Sequence, residues 1–94
     1  MNEKCLEIIL KEASKYYETS NHYTSIYREY SDRMDDRTNH ALRCVIEARG
    51  KAEAIISSLR LCGVKIEIRN EEDKPSHIRA SYKDIKLKVE IETW

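Results

Sequence analysis

The sequence predicts an α+β protein in which a long antiparallel helical hairpin precedes a small antiparallel β-hairpin or three-stranded meander. Two observations predict this order. Apolar residues recur at every third or fourth position before Gly63, which is helical spacing. After Gly63 they recur at every second position, which is strand spacing. The 94 residues suit a single domain, residues 1–94.

Helix one is expected at about residues 2–34. The apolar positions of its seam are Leu6, Leu10, Ala13, Tyr17, Ser20, Tyr23, Tyr27, Tyr30 and Met34. The four residues from 19 to 22 are Thr, Ser, Asn and His, which are poor helix formers that favour caps. A break near residues 19–21 is therefore an alternative, with Ser20 or Asn21 capping a second helical piece.

Helix two is expected at about residues 38–62. Its seam consists of Ala41, Val45, Ala48, Ala52, Ile55, Leu59 and Cys62. Thr38 or Asn39 is expected to cap its start, and Gly63 to take the left-handed conformation after its end. Since Cys62 falls on the seam, it is expected to be a small buried thiol.

Gly50 lies in the middle of helix two, where glycine destabilises a helix by ~1 kcal/mol relative to alanine. Two interpretations are open. Gly50 is either a tolerated surface residue or the point at which a second backbone approaches the helix closely.

Folding the helices back at residues 35–39 gives a role to the alanines of helix two. Tyr27 then faces Ala48 and Tyr23 faces Ala52, so that large side chains fill the space beside small ones. No Gly or Pro separates the helices, however, and one continuous helix of about 60 residues in a coiled-coil dimer satisfies the same spacing. The hairpin is favoured because residues 35–39 are typical of caps and turns.

The last third of the chain predicts strands. Residues 64–69 and 85–92 alternate apolar with charged side chains, so each is expected to form a strand with one apolar face. Residues 77–82 are a candidate short third strand, and residues 70–76 are expected to be a loop. The charges along the strands are interpreted as protection against stray edge pairing.

Composition excludes several classes of function. The chain has 17 basic and 17 acidic residues, short of the basic footprint of a dedicated nucleic-acid binder. Its three widely spaced cysteines and the absence of a recognisable leader favour a reducing, cytoplasmic compartment. No metal-ligand spacing such as CxxC or HExxH occurs, and no Gly-rich phosphate loop. Neither a metal, a cofactor nor an enzymatic activity is expected.

The favoured function is a non-enzymatic interaction module that forms a dimer or higher oligomer and binds another protein. Two helices cannot cover every apolar position that flanks their seams, and exposed apolar surface marks interaction sites. The candidate interface residues are Ile9, Ile26, Leu42, Ile46 and Ile56. This motif-free chain, rich in lysine and tyrosine, is similar in character to small accessory proteins of bacteria and their phages. That resemblance implies an adaptor or inhibitor.

Two alternatives use the basic residues of helix two. A nucleic-acid-binding accessory protein, or an oligomeric binder of a small anion such as a nucleotide, would contact its ligand through Arg37, Arg43, Arg49, Lys51 and Arg60. The ordinary interpretation is a solvated face, because Glu47 and Glu53 alternate with these cations. No membrane partner is expected, since helix one is acidic.

Overall fold

The computed structural model describes residues 2–30 and 36–93 and confirms the predicted fold class. Two helices that pair as a hairpin are followed by a three-stranded antiparallel sheet of order β1-β2-β3. Neither described helix has the uninterrupted apolar length that a membrane crossing requires. The elements are α1 (Glu3–Tyr30), α2 (Asp36–Leu61), β1 (Lys65–Glu71), β2 (Lys74–Tyr82) and β3 (Ile85–Glu90).

Helix α1 is continuous, so the predicted alternative of a break near residues 19–21 is wrong. Asn2 caps its start, because the Cys5 amide donates to Asn2 Oδ1 at 2.8 Å. The poor helix formers are accommodated by local hydrogen bonds: the Ser20 hydroxyl, for example, donates to the Tyr17 carbonyl at 2.8 Å. Met34, the last predicted seam residue, lies outside the described residues.

Helix α2 ends as predicted but begins differently. Gly63 has a φ of 93°, and the Val64 amide donates to the Leu59 carbonyl at 3.1 Å, which is the Schellman arrangement. Neither Thr38 nor Asn39 is the cap, since α2 already begins at Asp36. The Thr38 hydroxyl instead donates to the Tyr30 carbonyl at 2.9 Å and so ties the end of α1 to the first turn of α2.

The two helices are paired at a different register from the one predicted. The rings of Tyr23 and His40 are 6.1 Å apart, so Tyr23 does not face Ala52. Lys51 Nζ lies 5.7 Å from the centre of the Tyr16 ring. The bond between Thr38 and Tyr30 belongs to the same shifted register. The expectation that Ala48 and Ala52 are buried is nevertheless confirmed.

Of the two predicted forms of the sheet, the structure shows the three-stranded meander. The candidate strand at residues 77–82 is real, and it belongs to the longer central strand β2. The loop expected at residues 70–76 shrinks to Glu72 and Asp73, whose φ values of 50° and 65° are typical of a type I′ turn. A bulge between Arg69 and Asn70 shifts the register, which places Pro75 where the ladder is already interrupted.

The helices cover one face of the sheet, with α1 against β2 and β3 and α2 against β1. Two predictions fail at this core. Cys62 is exposed because α2 ends one residue before it. Ile56 is only 2% exposed and is not an interface residue, because the sheet covers the flank that two helices alone leave open. The core cluster is Leu6, Leu10, Ala13, Tyr17, Ala52, Ile56, Leu59, Val64, Ile78, Ala80 and Ile91.

The β1–β2 turn is held against the helical hairpin by one arginine from each helix. Arg28 Nη2 donates to the Glu72 carbonyl, and Arg49 Nη2 to the Asp73 carbonyl, each at 3.3 Å. The molecule is elongated, with a longest dimension of 49 Å.

Candidate interaction surfaces

The outward side of α2 carries a ridge of exposed residues spaced four apart, which helical geometry places in one line. Its first two residues, leucine and isoleucine, are large, and its last three, glycine, alanine and serine, are small. Leu42 and Ile46 are 42% and 62% exposed. We call this line the α2 ridge; it consists of Leu42, Ile46, Gly50, Ala54 and Ser58.

Gly50 is the one residue of the α2 ridge that has no Cβ atom. A Cβ atom built at Gly50 meets no other described atom within 4 Å. Within residues 2–30 and 36–93, therefore, nothing in this chain uses the close approach that glycine allows. Of the two interpretations drawn from the sequence, the close approach of a second backbone to Gly50 therefore requires a second molecule.

Two opposite charges flank the α2 ridge. Arg43 follows Leu42, Glu53 precedes Ala54, and both are exposed. Since each residue advances a helix by about 100°, Arg43 and Glu53 lie on opposite sides of the ridge. The ridge is thus bordered by a cation on one side and an anion on the other.

The five predicted interface residues do not form one patch. Leu42 and Ile46 are exposed and share the α2 ridge, whereas Ile9 on α1 packs against the core cluster. Ile26 is half-buried on α1, and Ile56 is in the core. Ile8, at 60% exposure, was missed because it is off the α1 seam. Leu61, also missed, is 90% exposed at the end of α2.

The five basic residues of helix two do not share a face either. Arg49 and Arg60 turn toward the sheet, where Arg60 Nη2 donates to the Ile66 carbonyl at 3.1 Å. Lys51 turns toward α1 and covers the Tyr16 ring. Arg37 and Arg43 are exposed near the start of α2. The predicted basic face of helix two is therefore dispersed around the helix.

A cavity of about 420 Å³ lies between the helices and the β1–β2 turn and includes Tyr17 and Arg49 in its lining. Burial raises the pKa of the Tyr17 hydroxyl above its usual value, and the negative charge of Glu53 adds to this shift. The positive charges of Arg60 and Arg49 oppose it. Among the residues that the structure describes, Arg49 Nε is buried here without a hydrogen-bond acceptor.

No group of His, Cys, Asp or Glu in the described ranges could hold a metal ion. The three cysteines are free, and Cys5 and Cys62 are exposed. Cys44 Sγ lies 3.6 Å from His40 Nε2, one helical turn away. These groups remain separate and define no site together.

The sheet face turned away from the helices is a surface that sequence reasoning missed. Cross-strand register arranges its residues in three rows. We call it the outer sheet face; its rows are Lys65–Ser81–Lys86, Glu67–Arg79–Lys88 and Arg69–His77–Glu90. The first two rows line a shallow groove of about 430 Å³. The signal in the sequence was the charge on alternate strand positions, which was interpreted only as protection of strand edges.

Both carboxylates of the outer sheet face are engaged by neighbours on their own strands. Arg69 Nη2 lies 3.8 Å from Glu67 Oε1, and Lys88 Nζ lies 3.3 Å from Glu90 Oε1. Lys65, Arg79 and Lys86 form no ion pair with any carboxylate in the described part of the chain. The face therefore carries a net positive charge on a chain that is neutral as a whole.

No protein family, characterised protein sequence or solved structure shows significant similarity to this chain.

Proposed function

We propose that this protein is a non-enzymatic interaction module that self-associates through the α2 ridge. The support for this proposal is the graded size of the exposed ridge, which makes it complementary to a second copy of itself. Homodimers with two-fold symmetry use the same surface on both copies, so a self-complementary surface is what such a dimer requires.

An antiparallel arrangement of two α2 helices matches large residues with small ones. With the two-fold axis midway between Ile46 and Gly50, Ile46 of one copy packs against Gly50 of the other, and Leu42 packs against Ala54. The ridges of residues spaced four apart then interlock at the crossing angle of about −50° that is commonest in globular proteins. Gly50 allows the two backbones to approach closely at the centre.

The expected affinity is modest. Full burial of a leucine or isoleucine side chain stabilises by about 1.5–3 kcal/mol, and Leu42 and Ile46 are already partly covered. Association opposes this with at least about 4 kcal/mol of lost freedom. The two contributions are of similar size, so we expect a weak dimer with a dissociation constant no tighter than the millimolar range. A small accessory adaptor or inhibitor would act as this dimer, with both sheets left open to further partners.

The experiment is sedimentation equilibrium over a wide range of protein concentration, with Ile46→Glu as the ridge variant. Ile8→Glu is the matched control, because Ile8 is 60% exposed on α1 and receives the same charge. We expect the native protein and the control to dimerise as concentration rises and the ridge variant to stay monomeric. A native protein that is monomeric throughout, or equal losses in both variants, contradicts the proposal.

A further inference from the structure

We infer that the outer sheet face binds the phosphate backbone of nucleic acid, through the cations that three neighbouring strands place side by side. This inference is separate from self-association, because the α2 ridge and the outer sheet face share no residue. It also moves the nucleic-acid alternative from helix two, where the cations are dispersed, to the sheet, where they are together.

The charge balance of the outer sheet face is the first support. The face carries five cations and only two carboxylates, and each carboxylate already lies beside a cation of its own strand. The cations are Lys65, Arg69, Arg79, Lys86 and Lys88. Their charge is not neutralised by the helices, which cover the opposite face of the sheet.

The spacing of the cations is the second support. Lys65 and Lys86 stand on either side of Ser81, and Arg79 and Lys88 are neighbours in the next row. Rows repeat at about 6.7 Å along the strands, and strands lie about 4.8 Å apart. The cations therefore form an extended array and do not converge on one point. An array of this kind fits a polymer with regularly repeated negative charge better than a single phosphate group.

The absence of apolar side chains selects nucleic acid over other anionic partners. None of the nine residues in the three rows is aliphatic or aromatic apart from His77. Protein interfaces have an apolar or aromatic centre, and membrane-bound surfaces insert apolar side chains. Phosphate contacts, in contrast, need only cations and hydrogen-bond donors.

The same composition defines the mode of binding. Proteins that prefer single strands stack bases on aromatic side chains, and the described outer sheet face offers no tyrosine or tryptophan for stacking. We therefore expect binding that is independent of sequence and no weaker for duplex than for single strands. Contacts limited to phosphate give dissociation constants of about 10⁻⁴–10⁻⁶ M near physiological salt.

The test is fluorescence anisotropy with a labelled duplex of mixed sequence and the corresponding single strand, between about 50 and 200 mM salt. The variant is Arg79→Glu with Lys86→Glu. The matched control is Lys4→Glu with Lys15→Glu, two exposed positions on α1 that give the same change in net charge. Far-ultraviolet circular dichroism verifies that both variants are folded.

For the native protein we expect log K to fall with log salt at a slope of about −3 to −4, as for three to four neutralised phosphates. The sheet variant is expected to bind at least about tenfold more weakly with a slope reduced by about 2, and the control to bind within about twofold of the native protein.

Three results overturn the inference: no binding at about 50 mM salt, equal losses in the sheet variant and the control, or binding to anionic vesicles or an acidic peptide but not to duplex. Self-association is tested separately, by sedimentation of the native protein and the Ile46→Glu variant. Its failure would not change the outcome of the nucleic-acid test.

Discussion

The side-chain amide of Asn21, fully buried in α1, donates to the backbone carbonyl of Glu92 at 2.9 Å. The same nitrogen donates to the Pro75 carbonyl, also at 2.9 Å. One helical side chain thus satisfies two carbonyls at the ends of β2 and β3 and sets where the sheet rests on α1. Asn21 was among the residues that indicated a break in the helix, and it proves to be the link between helix and sheet.

Replacing Asn21 with alanine is expected to lower the free energy of unfolding by about 2 kcal/mol, because the buried Pro75 carbonyl and the partly buried Glu92 carbonyl lose their donor. Urea unfolding followed by circular dichroism measures this change. Asn39→Ala is the control, since Asn39 is exposed in α2 and its loss is expected to change stability by less than about 0.5 kcal/mol. Equal effects of the two substitutions on the free energy of unfolding would show that the hydrogen bonds of Asn21 do not stabilise the fold.

Gly50→Ala is expected to act in opposite directions on folding and on association. The added Cβ meets nothing in the described chain, so the monomer gains about 0.5–1 kcal/mol from helix propensity. The same Cβ separates the two backbones at the centre of the proposed dimer, and Gly50→Leu separates them further. Thermal unfolding at low concentration and sedimentation at high concentration measure the two effects. If association strengthens along the series Gly, Ala, Leu, the proposed packing is wrong.

Tyr17 is expected to make stability depend on alkaline pH. Burial raises the pKa of its hydroxyl in the folded protein, with Glu53 adding to the shift. The unfolded chain therefore ionises first as pH rises, and stability falls between the usual tyrosine pKa of about 10 and the higher folded value. Urea unfolding at about pH 8 and pH 11 compares the native protein with Tyr17→Phe. The variant is expected to lose less stability over this interval, and an equal loss would show that Tyr17 does not contribute.

The parts of the fold that follow from local rules could be predicted from the sequence. The change of apolar period at Gly63 separates helices from strands, and the left-handed Gly63 itself follows from the lack of a Cβ. Alternation at residues 64–69 and 85–92 indicated strands close to β1 and β3. Each of these features depends on residues that are near one another in the chain.

The failures arise where distant parts of the chain meet. Ile56 looked surplus because only two helices were considered, and the sheet covers it. The β1–β2 turn was predicted too long, as a loop over residues 70–76, since Glu72 and Asp73 both adopt positive φ without the glycine that usually marks such a tight turn. The outer sheet face could not be recognised before β2 was known to be the central strand, because only the register places Arg79 between Glu67 and Lys88.

The core also imposes an order on synthesis of the protein. Leu6 and Leu10 belong to the same buried cluster as Ile78 and Ile91, so the helices leave the ribosome with an apolar face that has no cover. At about 5–20 residues per second, the stretch from Cys62 to Ile91 takes roughly 2–6 s to translate. During those seconds the nascent hairpin is a substrate for chaperones and proteases. Slowing translation within that stretch should therefore lower the yield of folded protein without changing a single contact in the finished molecule.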